Sequence, residues 1–243
     1  MNINDIERGI TTRRFILENV DAYPAAIAKQ TEQQFAISRQ AVSKHIRILL
    51  STGQLEGEGV TRNRRYWLKV LNENSISLAL KKRLDEQVVW QEKMAPQLSN
   101  LPNRVIKIWR DGFIRMLNNA LVHSSGKKVI ITLRQTAVTT EIRIADDGEG
   151  IFKKIQQAYQ LKNGKQAMLA LSKGKLTTDP KNHAGKDIPF MVKKFDDFLI
   201  TSKGTLYAPK HPSDWTPESL RSPKKGTLVL MKLSNKTVLT PIV

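Results

Sequence analysis

The sequence contains no cysteine and only four histidines, which lie far apart along the chain. Without thiols the chain can form neither disulfides nor a thiolate metal site, which fits a reducing compartment. The histidines also lack the short spacing of metal ligands. The composition therefore excludes a disulfide-stabilised scaffold and argues against metal-cluster chemistry. The four histidines are His45, His123, His183 and His211.

Long apolar runs are missing as well. No run approaches the roughly 20 residues that a helix needs to span a membrane, and the polar residues 1–9 do not have the pattern of a signal peptide. The chain has 243 residues, 40% of them hydrophobic, which is enough for one large domain or two modest ones. We expect a cytoplasmic protein that does not contact a membrane.

Acidic residues are few compared with basic ones. The 40 lysines and arginines against 22 aspartates and glutamates give a formal net charge of +18 and a pI near 10.1. Such an excess makes polyanions the expected partners, either nucleic acid or an acidic protein surface. The alternative is a solvated, lysine-rich face without a specific partner.

The first 70 residues show helical spacing of apolar residues in three segments. The first two helices are predicted at 11–20 and 24–35. The third follows Ser38, a natural N-cap, and ends at Gly53. Two strands around a turn come next, at 54–57 and 64–70. The third helix is expected to turn an apolar stripe inward, formed by Val42, Ile46 and Leu49.

The opposite face of the third helix carries donors and cations of the kind that contact phosphates and base edges in a major groove. Three helices followed by a basic hairpin resemble a winged helix-turn-helix, with residues 37–53 as the turn and recognition helix. The resemblance predicts binding to double-stranded DNA, and a winged helix that only docks on protein is the alternative. The predicted contacts are Ser38, Arg39, Gln40, Ser43, Lys44 and Arg47 on the helix, with Arg62 and Arg64 on the hairpin.

Residues 71–102 mix apolar side chains with charges and end at Pro102. We predict a connecting helix here. Its apolar side, which includes Leu78, Leu84 and Trp90, would pack on the core or on a second copy of the chain. In the second arrangement the protein is a homodimer.

The stretch 113–151 combines a helix, two strands and an acidic turn with two glycines. Amide side chains near the end of the helix, such as that of Asn119, are costly to bury unless a partner takes their hydrogen bonds. The carboxylate of Asp146 can accept from an exocyclic amine, and Gly148 and Gly150 allow close backbone approach to a planar ring. These features predict a nucleotide ligand.

The remaining pattern predicts a mixed, mainly antiparallel sheet with helices. Residues 129–133 and 140–145 alternate as half-buried antiparallel strands do. The lysine-rich region 152–186 suits a mobile cover. Further helices are predicted at 166–171 and 188–195, and further strands at 198–202 and 226–233.

Three motifs in this order resemble the nucleotide-binding fold of the GHKL family, which gyrase, histidine kinases and mismatch-repair ATPases share. The helix with Asn119 looks like the family's asparagine-bearing helix, residues 146–151 match its Asp-x-Gly-x-Gly box, and residues 179–188 are similar to its second glycine box. The resemblance extends over about 105–233. It implies an α/β two-layer sandwich of the GHKL (Bergerat) type at 103–243. Together with the winged helix-turn-helix at 1–70 and the connecting helix at 71–102, this predicts an α+β chain.

The resemblance also implies ATP and Mg²⁺ as ligands. Asn119 would supply the oxygen that holds Mg²⁺ against the phosphates, and Asp146 would accept from the adenine amino group. The other implied contacts are Gly148 and Gly150 at the ring, Thr227 behind Asp146 through a water, and Gly185, Lys186 and Lys193 near the phosphates. In the alternative interpretation Asp146 belongs to an acidic hairpin end and Asn119 is a buried helix amide.

Three positions depart from the family's pattern. Arg115 stands where hydrolysing members carry the glutamate that polarises the attacking water, and arginine, with a pKa above about 12, cannot act as a general base. Asp187 replaces a glycine of the second box and would repel a triphosphate, and Pro189 offers no amide donor. Hydrolysis is therefore doubtful, and the domain is expected to be degenerate.

Together these observations predict a DNA-binding transcriptional regulator. Its degenerate GHKL-type domain would serve as a ligand switch or a dimerisation module. The alternatives are an ATP-dependent switch, a weak ATPase and a protein kinase similar to the anti-sigma type.

Overall fold

The computed structural model describes residues 3–60, 63–80, 84–173, 187–209 and 223–236. The contacts within the chain divide it into two compact units. The first comprises Met1–Glu73 with Arg134–Thr139, and the second comprises Asn74–Leu133 and Thr140–Val243.

The first unit begins with three helices, α1 (Ile3–Asn19), α2 (Ile27–Phe35) and α3 (Arg39–Ser51). All three predicted helices are confirmed. The start of α3 is fixed by Ser38, whose hydroxyl accepts a hydrogen bond from the Ala41 backbone N–H at 3.3 Å. Its end is fixed by Gly53, whose φ of +67° lies in the left-handed region that glycine tolerates best.

A two-stranded antiparallel sheet completes this unit. Strand β1 (Leu55–Glu58) pairs with β2 (Arg65–Leu68), in a register that places Leu55 opposite Leu68 and Glu58 opposite Arg65. The inward stripe predicted for α3 is confirmed, because its three apolar residues are buried. The core of the unit consists of Ile16, Leu17, Val20, Ile27, Val42, Ile46, Leu49, Leu55 and Leu68.

The larger sheet has six strands in the order β3, β4, β5, β8, β6, β7. The pairs of β6 with β7 and with β8 are antiparallel. The strands are β3 (Asn72–Ala79), β4 (Lys128–Gln135), β5 (Thr139–Asp146), β6 (Asp197–Ser202), β7 (Thr205–Tyr207) and β8 (Leu228–Ser234). The protein is thus an α+β protein with an antiparallel sheet.

Helices of the second unit share one core with this sheet. They are α4 (Glu86–Val89), which continues through a π-helical turn (Trp90–Met94) and a 3-10 turn (Ala95–Leu98), α5 (Asn103–His123), α6 (Ile151–Ala158), α7 (Gly164–Ser172) and α8 (Asp187–Lys194). The long helix α5 buries Trp109, Phe113 and Leu117 in the core, and β4 contributes every second residue, from Val129 to Leu133. Among the described residues, no helix has the length and apolar character needed to cross a bilayer.

The prediction of a connecting helix at 71–102 is wrong. Its first part is strand β3, and only short helical turns follow between residues 86 and 98. The reason is visible in the spacing, since Ile76, Leu78 and Leu80 alternate with polar or small residues, a period of two that belongs to a strand. The region 152–186 also contains a helix that was not predicted, because α6 occupies 151–158. Further along the chain, strand β7 was not predicted either.

Gly112 lies where α5 approaches the aromatic ring of Phe195. A Cβ at this position would come within 2.6 Å of the Phe195 Cε2 atom, which is fully packed in the core. We expect Gly112→Ala to lower the free energy of unfolding by about 1–3 kcal/mol, since overpacking a core costs this much. Chemical denaturation of the purified variant measures it.

Gly9 provides the matched control in α1. A Cβ there meets only the tips of two side chains, Arg13 Nη1 at 3.3 Å and His45 Cε1 at 3.7 Å. Because alanine is preferred over glycine inside a helix by about 1 kcal/mol, Gly9→Ala should stabilise the protein. If Gly112→Ala stabilised it as well, the close approach of α5 to Phe195 would be refuted.

Candidate functional site

One exposed face of α3 collects the residues predicted to contact DNA. Helix α3 contains no acidic residue, and its side chains Arg39, Lys44 and Arg47 are exposed. An exposed set of cations without neighbouring carboxylates on the same helix can accept phosphates without first breaking ion pairs. The exposed set on this face is Ser38, Arg39, Gln40, Ser43, Lys44 and Arg47.

The predicted hairpin contacts are only partly described. Arg64 is exposed and its guanidinium lies over the ring of Tyr66, 5.4 Å from the centroid. Such stacking holds an arginine outward while leaving its N–H donors available. Arg62 lies outside the described residues.

His45 sits on the same helix but at its half-buried edge. Its Nδ1 atom is 3.5 Å from Arg13 Nη1 of α1. Burial lowers the pKa of His45, and the positive charges of Arg13 and Lys44 lower it further. The lowered pKa favours the neutral imidazole, and His45 contacts Arg13 of α1 without adding to the cationic face.

The second unit contains a cavity of about 810 Å³ beside α5. Three residues predicted to bind a nucleotide line it, namely Asn119, Asp146 and Thr227. Its wall is otherwise formed mainly by α5, with contributions from α4, β5, α6, α7, α8 and β8. The size is that of a site for a small organic ligand.

Asp146 stands at the end of β5 and is buried. Its Oδ1 atom accepts a hydrogen bond from the Gly148 N–H at 2.9 Å, and its own N–H donates to the Thr227 carbonyl at 3.0 Å. Burial raises the pKa of Asp146, while the hydrogen bonds from Gly148 and Thr227 partly offset this effect. The result is an acceptor that faces a cavity in a fixed orientation.

Asp147 has a different role, although it is the next residue. It is exposed, and its Oδ1 atom accepts from the N–H groups of Lys127 and Lys128 at 2.8 and 2.9 Å. These backbone hydrogen bonds lower the pKa of Asp147. The side chain therefore holds the start of β4 in place, and only the first carboxylate of the pair turns to the cavity.

The glycines of the acidic turn are packed against protein. A Cβ on Gly148 would overlap the Ser124 carbonyl, and one on Gly150 would overlap the Ser202 hydroxyl. Gly150, with a φ of +91°, precedes α6, and the Ile151 N–H donates to Thr227 Oγ1 at 2.9 Å. The two glycines let the turn close against its neighbours, so they shape the cavity from behind its wall.

Asn119 and Arg115 lie one helical turn apart on α5, and both line the cavity. The structure records no side-chain hydrogen bond of Asn119 within the described residues, and the amide is half-buried. Arg115 is held by an ion pair, since its Nε atom is 2.9 Å from Asp111 Oδ1.

Asp111 is bridged by two cations. Its second oxygen, Oδ2, lies 2.7 Å from the Nζ atom of Lys194 on α8. The ring of Phe190 lies beneath both cations, with 4.2 Å from its centroid to Lys194 Nζ and 6.0 Å to Arg115 Cζ. Although burial raises the pKa of Asp111, its hydrogen bonds and charge contacts with Lys194 and Arg115 lower the pKa overall.

Cations outnumber carboxylates in this cavity. Among the described residues of the lining, the carboxylates are those of Asp111 and Asp146. Such a lining favours an anionic ligand, because the cations described there outnumber the carboxylates described there. The cations are Arg104, Lys107, Arg110, Arg115, Lys154 and Lys194.

Sequence reasoning missed several of these residues, and a signal for them existed. Arg104, Lys107, Asp111 and Arg115 follow one another at helical spacing of three or four positions, so they share the face of α5 that carries Asn119. Lys154 and Lys194 carry no such signal, because they reach the cavity from other helices.

The predicted phosphate contacts are placed only in part. Lys193 is exposed on α8, and its neighbour Lys194 lines the cavity instead, because one residue rotates a helix by about 100°. Gly185 and Lys186 lie outside the described residues. Pro189 occurs in the first turn of α8, where its missing N–H has no intrahelical partner to lose.

The magnesium ion that the family resemblance implies does not fit the donors present. A metal ion bound to Asn119 would lie one helical turn from the guanidinium of Arg115. Asp111 is already paired with two cations. Within the described ranges, no group of three or more histidine, aspartate or glutamate side chains could hold a metal ion. The site therefore suits an anion better than a divalent cation.

Comparison with known proteins adds no relative. No family model matches the chain, and no curated protein matches it.

Proposed function

We propose that the protein is a DNA-binding transcriptional regulator whose second unit binds a nucleotide without turning it over. The first unit would be a winged helix-turn-helix with α3 as its recognition helix. The second would be a degenerate GHKL-type domain that acts as a ligand switch or a dimerisation module. Its partners would be double-stranded DNA and a second copy of the chain.

The exposed cationic face of α3 carries this proposal. A helix that enters the major groove needs an outward face of donors and a buried face that anchors it. Here Arg39, Lys44 and Arg47 are exposed, whereas the stripe from Val42 to Leu49 is buried. The overall charge of +18 supports a polyanionic partner.

The cavity supports nucleotide binding. Asp146 offers an oriented acceptor at one wall, while Arg115 and Lys194 offer cations at another. A nucleotide has both kinds of group, an exocyclic amine on its base and anionic phosphates. Asn119 adds an amide that has no side-chain partner within the described residues.

Hydrolysis is not supported by the same residues. A general base must be able to take a proton from the attacking water. Arg115 cannot do so, and Asp111 is occupied by two cations that lower its pKa. A weak ATPase or an anti-sigma-like kinase would need a carboxylate that these positions do not provide.

DNA binding is expected to depend steeply on salt. If a dimer places six to ten cations on phosphates, affinity should fall by about 10³-fold or more between 50 and 200 mM salt, since counterion release scales with the number of phosphate contacts. Fluorescence anisotropy with a labelled duplex measures this. Absence of binding at the lower salt concentration would refute the proposal.

Polyglutamate serves as the control ligand for that experiment. It carries negative charge without grooves or bases, so it tests whether any polyanion is bound equally well. An excess of polyglutamate should displace only a part of the duplex. Complete displacement would favour an acidic protein surface as the partner.

A further inference from the structure

The cavity of the second unit extends along most of α5. Its lining includes Arg104 in the first turn of the helix and His123 in the last turn. Because an α-helix rises about 1.5 Å per residue, these two positions lie about 28 Å apart along the helix axis. The volume of about 810 Å³ is near the upper end of the range of roughly 300–1,000 Å³ for small-ligand sites. The lining is therefore longer than one extended nucleoside triphosphate.

The base of the proposed nucleotide lies at the carboxyl end of α5. Asp146 belongs to the acidic turn that packs on Ser124, the residue after this helix. The Glu149 N–H donates to the Ser124 carbonyl at 2.9 Å, and Gly148 lies against the same carbonyl. Since most of the α5 residues in the lining precede Asn119, a nucleotide whose amine meets Asp146 extends toward the amino-terminal half of the helix.

Three cations line the opposite end of the cavity. Arg104, Lys107 and Arg110 follow one another at a spacing of three residues, and all three are exposed. None of them forms an ion pair within the part of the chain that the structure describes. Arg110 donates from Nη2 to the neutral amide of Gln87, whose Oε1 lies at 2.9 Å. Their charges are therefore available to a ligand, and they are separate from the ion pairs of Asp111.

One nucleotide does not reach from the first end to the second. Lys107 and Arg104 precede Asn119 by about 18 and 22 Å along the helix axis. The phosphate chain of a nucleotide bound at Asp146 ends before that distance, whereas a second nucleoside carries a further phosphate to it. Arginine and lysine side chains hold such a phosphate through charge-assisted hydrogen bonds.

We infer that the cavity binds a dinucleotide, with one base at Asp146 and the terminal phosphate of the second nucleotide at Arg104, Lys107 and Arg110. The inference rests on the proposed nucleotide binding and specifies the class of ligand. A dinucleotide should bind more tightly than a mononucleotide, because its terminal phosphate makes contacts that the shorter ligand cannot make. A third nucleotide should add little, since the described lining of α5 ends at Arg104.

Calorimetry with 5′-phosphorylated oligoadenylates of one, two and three nucleotides tests this inference. Affinity should rise by about tenfold from one nucleotide to two, the usual effect of one hydrogen bond between charged groups, and then level off. The dinucleotide without its terminal phosphate should lose this gain, and that comparison needs only the wild-type protein.

Arg104→Gln with Lys107→Gln tests the same contact from the protein side. The two affinities, for the dinucleotide and for the mononucleotide, should then differ by less than about twofold, because the terminal phosphate has lost two of its three cations. The fold should survive, since both side chains are exposed.

Lys162→Gln with Lys165→Gln is the matched control. Both lysines are exposed, and neither is among the described residues that line the cavity, so the same two charges are removed from elsewhere in the second unit. This variant should keep the gain from one nucleotide to two.

Three results would overturn the dinucleotide and leave the nucleotide function standing. The first is equal affinity of the wild type for one and two nucleotides. The second is an undiminished gain in the variant without Arg104 and Lys107. The third is a loss of affinity for duplex DNA in that variant while the gain persists, which would assign these cations to duplex DNA. If no oligoadenylate and no ATP bound to the wild type, the nucleotide function itself would fail.

Discussion

Replacing Arg39 and Arg47 together with alanine should lower DNA affinity by at least about a hundredfold. Each arginine contributes a hydrogen bond between charged groups, worth about 1.5–3 kcal/mol, and tenfold in affinity corresponds to about 1.4 kcal/mol. The fold should survive, because both side chains are exposed on α3 and alanine favours a helix. Anisotropy titration and a thermal melt measure the two effects.

A charge-matched variant separates the recognition face from net charge. Arg14→Ala with Lys165→Ala removes the same two charges, one from each unit, and breaks only the exposed pair of Arg14 with Glu18. Its DNA affinity should stay close to that of the wild type, since exposed pairs contribute little and neither lost charge belongs to α3. Equal losses in both double variants would show that net charge alone attracts DNA.

Replacing Arg39 and Arg47 by lysine separates the effect of charge from that of hydrogen-bond geometry. Lysine keeps the charge but loses the planar fork that contacts guanine with two hydrogen bonds. Non-specific, salt-dependent binding should persist while discrimination between duplexes falls. An unchanged preference would assign α3 to phosphate contact alone.

The first unit could be predicted because its signals are local. Ser38 directly precedes the first turn of α3 and caps it, and Gly53 ends the same helix. The stripe of Val42, Ile46 and Leu49 needs only the period of an α-helix. Each of these inferences depends on residues that lie no more than four positions from the next one in the pattern.

Strand β3 shows where local signals mislead. Residues 71–102 contain charges and leucines typical of an amphipathic helix, yet the edge of the six-stranded sheet takes Asn72–Ala79 as a strand. The hydrogen bond from the Leu80 N–H to the Lys127 carbonyl, at 2.8 Å, shows what decides it. The alternation of Ile76, Leu78 and Leu80 is compatible with a strand, and pairing with a distant segment selects the strand over the helix. No local window of sequence contains that partner.

The cavity likewise combines residues that the sequence predicts with residues that it does not predict. The positions of Asn119 and Asp146 in the wall follow from motifs that the sequence displays. The ion pair of Asp111 with Lys194 joins residues 83 positions apart, so their meeting depends on how α8 packs on α5. The distinct roles of Asp146 and Asp147 likewise depend on the direction in which each carboxylate points at the end of β5.

Asp146→Asn should abolish measurable nucleotide binding and yet stabilise the protein without ligand. Asparagine can still accept from Gly148, but its amino group would then point toward the exocyclic amine of the base, donor against donor. We expect a loss in affinity of about a hundredfold or more, because a buried acceptor is replaced by a mismatched group. Calorimetry with ATP, in EDTA and in MgCl₂, measures it.

The gain in stability follows from the direction of the pKa shift. Burial raises the pKa of Asp146 in the folded protein, so the folded state holds a proton that the unfolded chain has released as the pH rises above about 4. Wild-type stability therefore falls as the pH rises from the unfolded to the folded pKa. The melting temperature of Asp146→Asn should exceed that of the wild type at pH 7, and the difference should shrink in acid.

Asp147→Asn is the adjacent control with the opposite sign. Its carboxylate accepts from two backbone N–H groups, and its pKa is lowered in the folded protein. The stabilisation it provides is present above the unfolded pKa and is lost as the pH falls through the folded value. Asp147→Asn should therefore melt below the wild type at pH 7 and approach it in acid. If both variants shifted the melting temperature in the same direction, burial of Asp146 would not explain its effect.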